Sequence, residues 1–400
     1  MALWKILTSV IAVGLILALA TVLEGYLSDA RTPQVDTTPT AAQVRTAAQI
    51  EHEKRLQGAF RQYQKNVARV WGDEAVVPEA KRDVTYRDNY RQRSIVDYDA
   101  GVVKVELALK PGSEQDPDGS RRQLQAAVEQ TVQQPPDERS IIEIVRQPTP
   151  PPSKQPAVLA GLVAAIDNTP LSPQELSAFA SAVASAMHSR ALTGRDGKQR
   201  LVISTEFKLL PEHLRIRAER FSASVNSHAR QHDIPAALIY AVIETESAFN
   251  PWAKSHIPAF GLMQLVPRTG ARDAYRFLYA EDKILKEKYL YQPDNNIQLG
   301  TAYLHLLYYK HFKQIKDPQA RTWATIAAYN AGSDSVISAF TGQFSRHNYP
   351  SRFSWRRHAL KKINQLSAEK LYQHLRRQLP ARETRDYIEK VRSRMDKYET

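Results

Sequence analysis

Read for the alternation of apolar and polar positions, the chain divides into two halves of different character. From about Ala47 to Trp71, charged residues separate Leu56, Phe60, Tyr63, Val67 and Val70 at helical spacing, which predicts an amphipathic helix. The segment GVVKVELAL (101–109) alternates strictly. Val103, Val105, Leu107 and Leu109 share one face and Lys104 and Glu106 the other, the pattern of a half-buried strand. PGSEQDPDGS then predicts a loop, and a helix follows from Arg121 to Val132. SIIEIV (140–145) reads as a short strand, and RQPTPPPSKQP (146–156) as a stiff proline-rich crossing. LVISTEFKL (201–209) repeats the alternation, with Leu201, Ile203, Thr205, Phe207 and Leu209 on one side.

Beyond Pro211 the apolar period changes from two to 3.6. Arg215–His232, Pro235–Phe249, Asn296–Lys310, Arg321–Asn330 and Ser367–Leu379 are predicted as helices, with Pro235 in a favoured place for a helix start. No repeat recurs at a fixed period. The expected organisation is an α+β accessory domain over residues 47–210 and an all-α domain over 211–400. Ahead of both, one lysine precedes eighteen mostly apolar residues, Ile6 to Leu23, long enough to span a bilayer. Residues 1–27 are therefore expected to be a transmembrane signal anchor or a signal peptide, with Ala18-Leu19-Ala20 as a weak cleavage site. Residues 28–46, rich in Thr, Pro, Gln and Ala, read as a flexible linker. Either form exports the remainder, which points to the periplasmic side of a bacterial envelope, anchored in the inner membrane if uncleaved.

Composition sharpens this in two respects. The chain has no cysteine, which excludes disulfides and an acylated N-terminal cysteine, so it is not expected to be a lipoprotein. Its net charge is +13, and residues 351–400 hold fourteen Lys/Arg against six Asp/Glu. Such a tail suits an anionic polymer, acidic lipid or nucleic acid. The spacing of Leu366, Leu371, Leu375 and Leu379 equally allows it to be the solvated face of amphipathic helices. There is no glycine-rich phosphate loop and no Ser/His/Asp signature. His305 and His311 lie six apart on one helix and do not share a face, so neither metal nor cofactor is expected.

Candidate chemistry centres on VIETESAFNPWAKSHIPAFGLMQ (242–264). In the helix from Pro235, residues Leu238, Ala241, Val242, Thr245 and Phe249 share an apolar face, and Glu246 borders it one turn beyond Val242. A carboxyl against apolar walls holds its proton to higher pH, which suits a general acid. Glu244 points roughly 200° away around the helix, so the two cannot act as the carboxylate pair of most glycosidases. Spacing alone leaves two readings open: a polar helix end bonded to nearby backbone, or an active-site acid.

The residues around Glu246 resemble the first signature of the lytic transglycosylases with a goose-type-lysozyme-like (SLT) fold. Glu246-Ser247, Phe249, Asn250-Pro251, Ser255 and Gly261-Leu262-Met263-Gln264 are all present in the family's order. QPDNNIQLGTAYLHLL (292–307), with its Asp-Pro order reversed, AAYNAGSDSV (327–336) and ETRDYIEKV (383–391) resemble the next three blocks. Upstream, TYRDNYRQRSIVDYDAGVVKVE (85–106) and LVISTEFKLLPEHLRIRA (201–218) are more loosely similar to the accessory domain of the membrane-bound lytic murein transglycosylase C branch. The chain departs from that branch in having no acylatable cysteine, and from many members in Pro258, where they carry glycine.

The resemblance implies a lysozyme-like catalytic domain over 211–400 that cleaves the MurNAc-β-1,4-GlcNAc bond of peptidoglycan without water. Glu246 would act first as acid and then as base towards the sugar's own C6 hydroxyl, giving 1,6-anhydro ends; with the nucleophile on the substrate, one carboxylate suffices. It places Ser255 near the MurNAc subsite, where it would orient Glu246 or an N-acetyl or lactyl group; by itself Ser255 is a loop serine. Gly261 would admit the sugar to the backbone or serve as a turn glycine. Gln264 would bond a sugar, and Met263 would be core filler or cleft wall. Tyr329 would bond Glu246 or the sugar, Asn330 would fix the following loop, and both allow a helix-capping reading. Tyr387 is a cleft-wall candidate. Competing readings are a hydrolase of the same fold, a catalytically weak peptidoglycan-binding or scaffolding protein, and nucleic-acid binding through the basic tail. The expected partners are glycan strands and, through the N-terminal helix, a membrane; nucleic acid is not expected.

Overall fold

The computed structural model describes residues 41–112, 115–254, 259–345 and 347–399. The chain forms two compact units, Met1–Arg55 and Leu56–Thr400. In the first, the described residues are helical from Ala41 onward. The second contains everything that follows. The expected anchor over 1–27 lies outside the described residues, among which no helix is long and apolar enough to cross a membrane.

The first half of the large unit is a five-stranded antiparallel sheet between helices. Helix α1 (Ala41–Trp71) leads to β1 (Arg82–Arg87), β2 (Gln92–Asp97) and β3 (Val102–Ala108). Helices α2 (Pro117–Val132), α3 (Ile141–Arg146) and α4 (Leu176–Ser185) intervene before β4 (His188–Thr193) and β5 (Gln199–Lys208). The strand order is β1-β2-β3-β5-β4, with Val105 opposite Ser94 on one side and Thr205 on the other. On one face α1 buries Tyr63, Val67 and Trp71 against Val84, Tyr86 and Val202. On the other, Leu124 and Val128 of α2 and Phe179 of α4 pack on Val103, Val105 and Phe207.

The central strands are thus covered on both sides, and the expectation of half-buried strands fails at Glu106, which is fully buried. Its carboxylate pairs with Arg93 and Arg190, which offsets the cost of burying the charge. Strict alternation could not foresee this, since a buried ion pair presents the same polar residue as a solvated face. The expected strand SIIEIV is instead α3. Ser140 accepts from the Glu143 backbone while the Glu143 side chain accepts from the Ser140 backbone, a capping box that outweighs the β-branched run. The helix expected from Arg121 starts at Pro117, where Asp116 caps the free N–H of Gly119. Strands β1, β2 and β4 were not foreseen, because charged and polar residues interrupt their apolar positions.

The second half is helical: α5 (His213–Glu219), α6 (Ser222–His232), α7 (Ala236–Ser247), α8 (Gly270–Tyr279), α9 (Glu287–Leu290) and α10 (Pro293–His305). A π-helical stretch, Leu306–His311, extends α10. Then come α11 (Pro318–Ala331), α12 (Ser333–Thr341), α13 (Arg352–Ile363), α14 (Ala368–Gln378) and α15 (Arg382–Tyr398). The single helix expected over 215–232 is broken at Arg220-Phe221. Helix α7 is buried on nearly every side rather than on one face. Leu238, Ile239, Val242 and Ile243 are each almost wholly enclosed, worth roughly 1.5–3 kcal/mol apiece.

Helix α5 joins the two halves, because Leu214 packs against both cores. The buried Arg217 guanidinium stacks 3.8 Å from the centre of the Tyr98 ring. Ala248, just past α7, packs into the accessory core. Lys254 Nζ donates to the backbone carbonyls of Asp137 (3.0 Å) and Arg139 (2.7 Å).

Candidate active site

Helix α7 ends where its backbone turns left-handed. Ala248 (φ 48°) and Phe249 (φ 61°) both lie in the region that L-residues with a Cβ avoid. Both are buried, so packing holds them there. These two residues, ahead of Asn250-Pro251, end the helix at Ser247, one residue after Glu246. The consequence is a polar carboxyl at the last turn of the most buried helix.

The Glu246 side chain keeps a partial opening to solvent. Its carboxyl is nonetheless enclosed enough that lost hydration, opposed by the Tyr387 hydroxyl, pushes its pKa up to about 7. Glu383, exposed in the first turn of α15, pushes in the same direction, and Lys81 in the turn before β1 pulls the other way. The buried Tyr387 hydroxyl has no formed hydrogen bond, so its contact with Glu246 is looser than a made bond. Glu244 faces away, as spacing requires, but it is no bystander. It receives hydrogen bonds from Arg394 (3.0 Å), Lys397 (3.0 Å) and Tyr398 (2.5 Å), which fasten α15 along α7 and hold its carboxyl below the usual range.

The segment Phe260–Leu265 forms a tight turn, with Phe260 and Leu265 bridged through their backbones. Ser247 Oγ donates to Leu262 O (2.7 Å) and Ile243 O (3.1 Å). Asn296, fully buried, accepts from Met263 N (2.8 Å) and donates to Phe260 O (2.9 Å) and Leu290 O (2.8 Å). Tyr329 donates to Met263 O at 2.8 Å. Thr384 donates to Asn330 Oδ1 at 2.7 Å, tying α11 to α15. Residues from the Glu-Ser, Asn-Ile and Tyr-Asn segments therefore meet on one turn, and the Glu-Thr segment joins through Asn330.

At several candidate residues the geometry favours one of the readings left open or adds a contact. Met263 is fully buried, its sulfur seated over Gly300 where a Cβ would lie only 2.2 Å away, so its side chain is core and not cleft wall. Gly261 (φ 79°) is a turn glycine against protein; a Cβ there would meet Asn296 Nδ2 at 2.3 Å and Leu290 O at 2.4 Å. Gln264 spends its amide nitrogen on the Ala253 and Gly261 carbonyls. The Tyr329 hydroxyl is committed to Met263 O and does not reach Glu246 as a donor, and Asn330 fixes α15 instead of the following loop. Ser255 and Pro258 lie outside the described residues. Sequence reasoning missed Ser247, Asn296 and Thr384 as organisers, although each sits inside a quoted block, and it missed Lys81 and Glu383 near Glu246. Among the described residues no group of His, Asp or Glu is placed to hold a metal ion.

The profile of the family described as Transglycosylase SLT domain matches residues 223–350. That described as Membrane-bound lytic murein transglycosylase C, N-terminal domain, matches 49–220. A membrane-bound lytic murein transglycosylase C of Klebsiella pneumoniae is 32% identical over 346 residues, covering 84% of this chain and 87% of its own. One of Haemophilus ducreyi is 29% identical over 340 residues, covering 84% and 85%. Among solved structures, the lytic transglycosylase Slt of Pseudomonas aeruginosa is 26% identical with a TM-score of 0.33. That match covers 44% of this chain, which spans about a quarter (23%) of that protein's length.

Proposed function

Since the chain belongs to the membrane-bound lytic murein transglycosylase C family and is a peptidoglycan lytic transglycosylase, we propose that Glu246 alone carries its acid and base chemistry. The observation that supports this is the enclosed carboxyl with its pKa pushed up to about 7, at the end of α7 and facing an unbonded tyrosine hydroxyl. Near neutral pH such a group holds its proton and can release it, the requirement for a general acid that must next act as base. Glu246 protonates the oxygen of the MurNAc-β-1,4-GlcNAc bond as positive charge develops on the muramyl carbon. The carboxylate left behind is steadied by the Tyr387 hydroxyl and by Lys81. It then takes the proton of the C6 hydroxyl, which closes onto C1 and leaves a 1,6-anhydro end.

In this proposal Gln264, its amide held by the backbone, offers its carbonyl oxygen to a sugar hydroxyl, and Ser255 orients the muramyl substituents. Gly261, Met263, Tyr329 and Asn330 support the turn without touching substrate. Residues 1–27 hold the enzyme at the periplasmic face of the inner membrane, or release it if cleaved.

Full-length protein incubated with intact sacculi should release anhydro-muropeptides, and a Glu246→Gln variant should release none. Equal clearance by that variant would overturn the assignment. A second reading rests on Glu383, the other carboxylate close enough to act on Glu246. If it orders a water, the products are hydrolytic and heavier by one water, which mass spectrometry distinguishes. Binding to sacculi with no product of either kind would mark a scaffolding protein.

A further inference from the structure

A cationic recess lies between the π-helical stretch and α13, and Glu246 is not among its lining residues. It has a volume of about 490 Å³ and is lined by Lys310, Lys313, Arg356 and Arg357, with Asp334 the one acid among its described lining residues. Asp334 is already engaged by Arg352 and Arg356. Helix α13 shows how the sequence builds this surface. Trp355, Ala359 and Ile363, spaced by four, are buried in the core, while Phe353 and Arg357, also spaced by four, stand on the outer side. Phe353 is 68% exposed, an unusual place for a phenylalanine, and it stands at the rim of the recess. The facing wall is π-helical, a backbone form that is rare and frequent at functional sites.

We infer that this face docks on an anionic phospholipid surface, with Phe353 entering the headgroup layer inside a ring of lysine and arginine. A protruding aromatic among cations matches what an acidic bilayer offers, apolar depth beneath fixed negative charge. The uneven basicity of the last fifty residues points to the same partner. The acidic stem peptides of murein would satisfy the cations but offer little to a phenylalanine. This surface is separate from the acid–base proposal above: a membrane contact through α13 stands or falls without changing what Glu246 does.

Because the chain contains no cysteine, a Phe353→Cys variant carries one unique attachment point for an environment-sensitive dye. Full-length protein labelled there is mixed with phosphatidylglycerol vesicles, with phosphatidylcholine vesicles, and with soluble murein peptides. A second label at Ile166, another exposed apolar residue, serves as the control. The expected result is a blue-shifted, brighter signal at position 353 on phosphatidylglycerol alone, reversed by about 0.5 M salt and absent at position 166. Adding Lys313→Gln and Arg357→Gln, both exposed positions, should weaken the vesicle response roughly thirtyfold for two lost cations while activity on sacculi persists. An unchanged signal on phosphatidylglycerol overturns the inference. So does a response to murein peptides in place of lipid, which would reassign the face to substrate.

Discussion

Proton affinity at Glu246 links the proposed acid–base role to stability. Burial pushes its carboxyl up to about 7 from an ordinary value of 4.5. A raised carboxyl favours the protonated state in the fold, so its contribution to stability is complete below about 4.5 and is lost as pH climbs through about 7. Glu246→Gln should therefore abolish product formation and yet raise stability at pH 8, by up to about 3 kcal/mol. Urea unfolding of both proteins at pH 4 and pH 8 checks this, and the gap between them should open only at the higher pH. Turnover by the native protein should fall on the alkaline side as the acid form is depleted. A rate that kept rising well past pH 8 would be incompatible with Glu246 as the acid. Ser247 tests the support around it. Ser247→Ala leaves the Leu262 carbonyl buried without its donor, which should cost about 1–3 kcal/mol and lower kcat more than KM.

At the scale of elements, the clamp between α7 and α15 is the strongest local commitment. Glu244 and Arg394 are largely buried and charged, and each keeps other partners if one is removed, Lys397 and Tyr398 for Glu244 and Asp99 for Arg394. Arg394→Met removes one of the three donors to Glu244 and should cost about 1–3 kcal/mol, read as a lowered urea midpoint. A double variant with Glu244→Gln should lose less than the sum of the two single variants. What could be read in advance follows from what each element is made of. Helices with sustained period, such as the one ending at Trp71, were legible because their spacing is their own. Helix α3 was misread because a β-branched run dominates six residues, though the Ser140–Glu143 pair spelled out its cap. Glu246 was singled out as the candidate acid only by the motifs around it, since α7 is buried all round and its spacing names no special face. The support residues were hidden for a different reason. Asn296 and Thr384 act through backbone groups far along the chain, and no local pattern records which carbonyl a side chain will meet.

Considered whole, residues 56–400 form one compact unit in which the accessory sheet and the helical half share side chains. Arg217 lies on Tyr98, Lys254 is bonded to the carbonyls of Asp137 and Arg139, and Arg394 reaches Asp99 at 3.4 Å as well as Glu244. Full-length protein should accordingly melt this region in one cooperative transition, whereas residues 211–400 alone should unfold at lower temperature. Two well-separated transitions in scanning calorimetry of the full chain would contradict the coupling.

The left-handed pair Ala248-Phe249 carries a consequence for anyone building chimaeras. Its first residue is seated in the accessory core, two positions from Glu246. Exchanging the accessory half for that of a relative therefore exchanges the socket in which α7 terminates. A graft made at the visible boundary near residue 211 would fold around the wrong socket. One that carries its matching turn along with the new sheet should keep the acid in place.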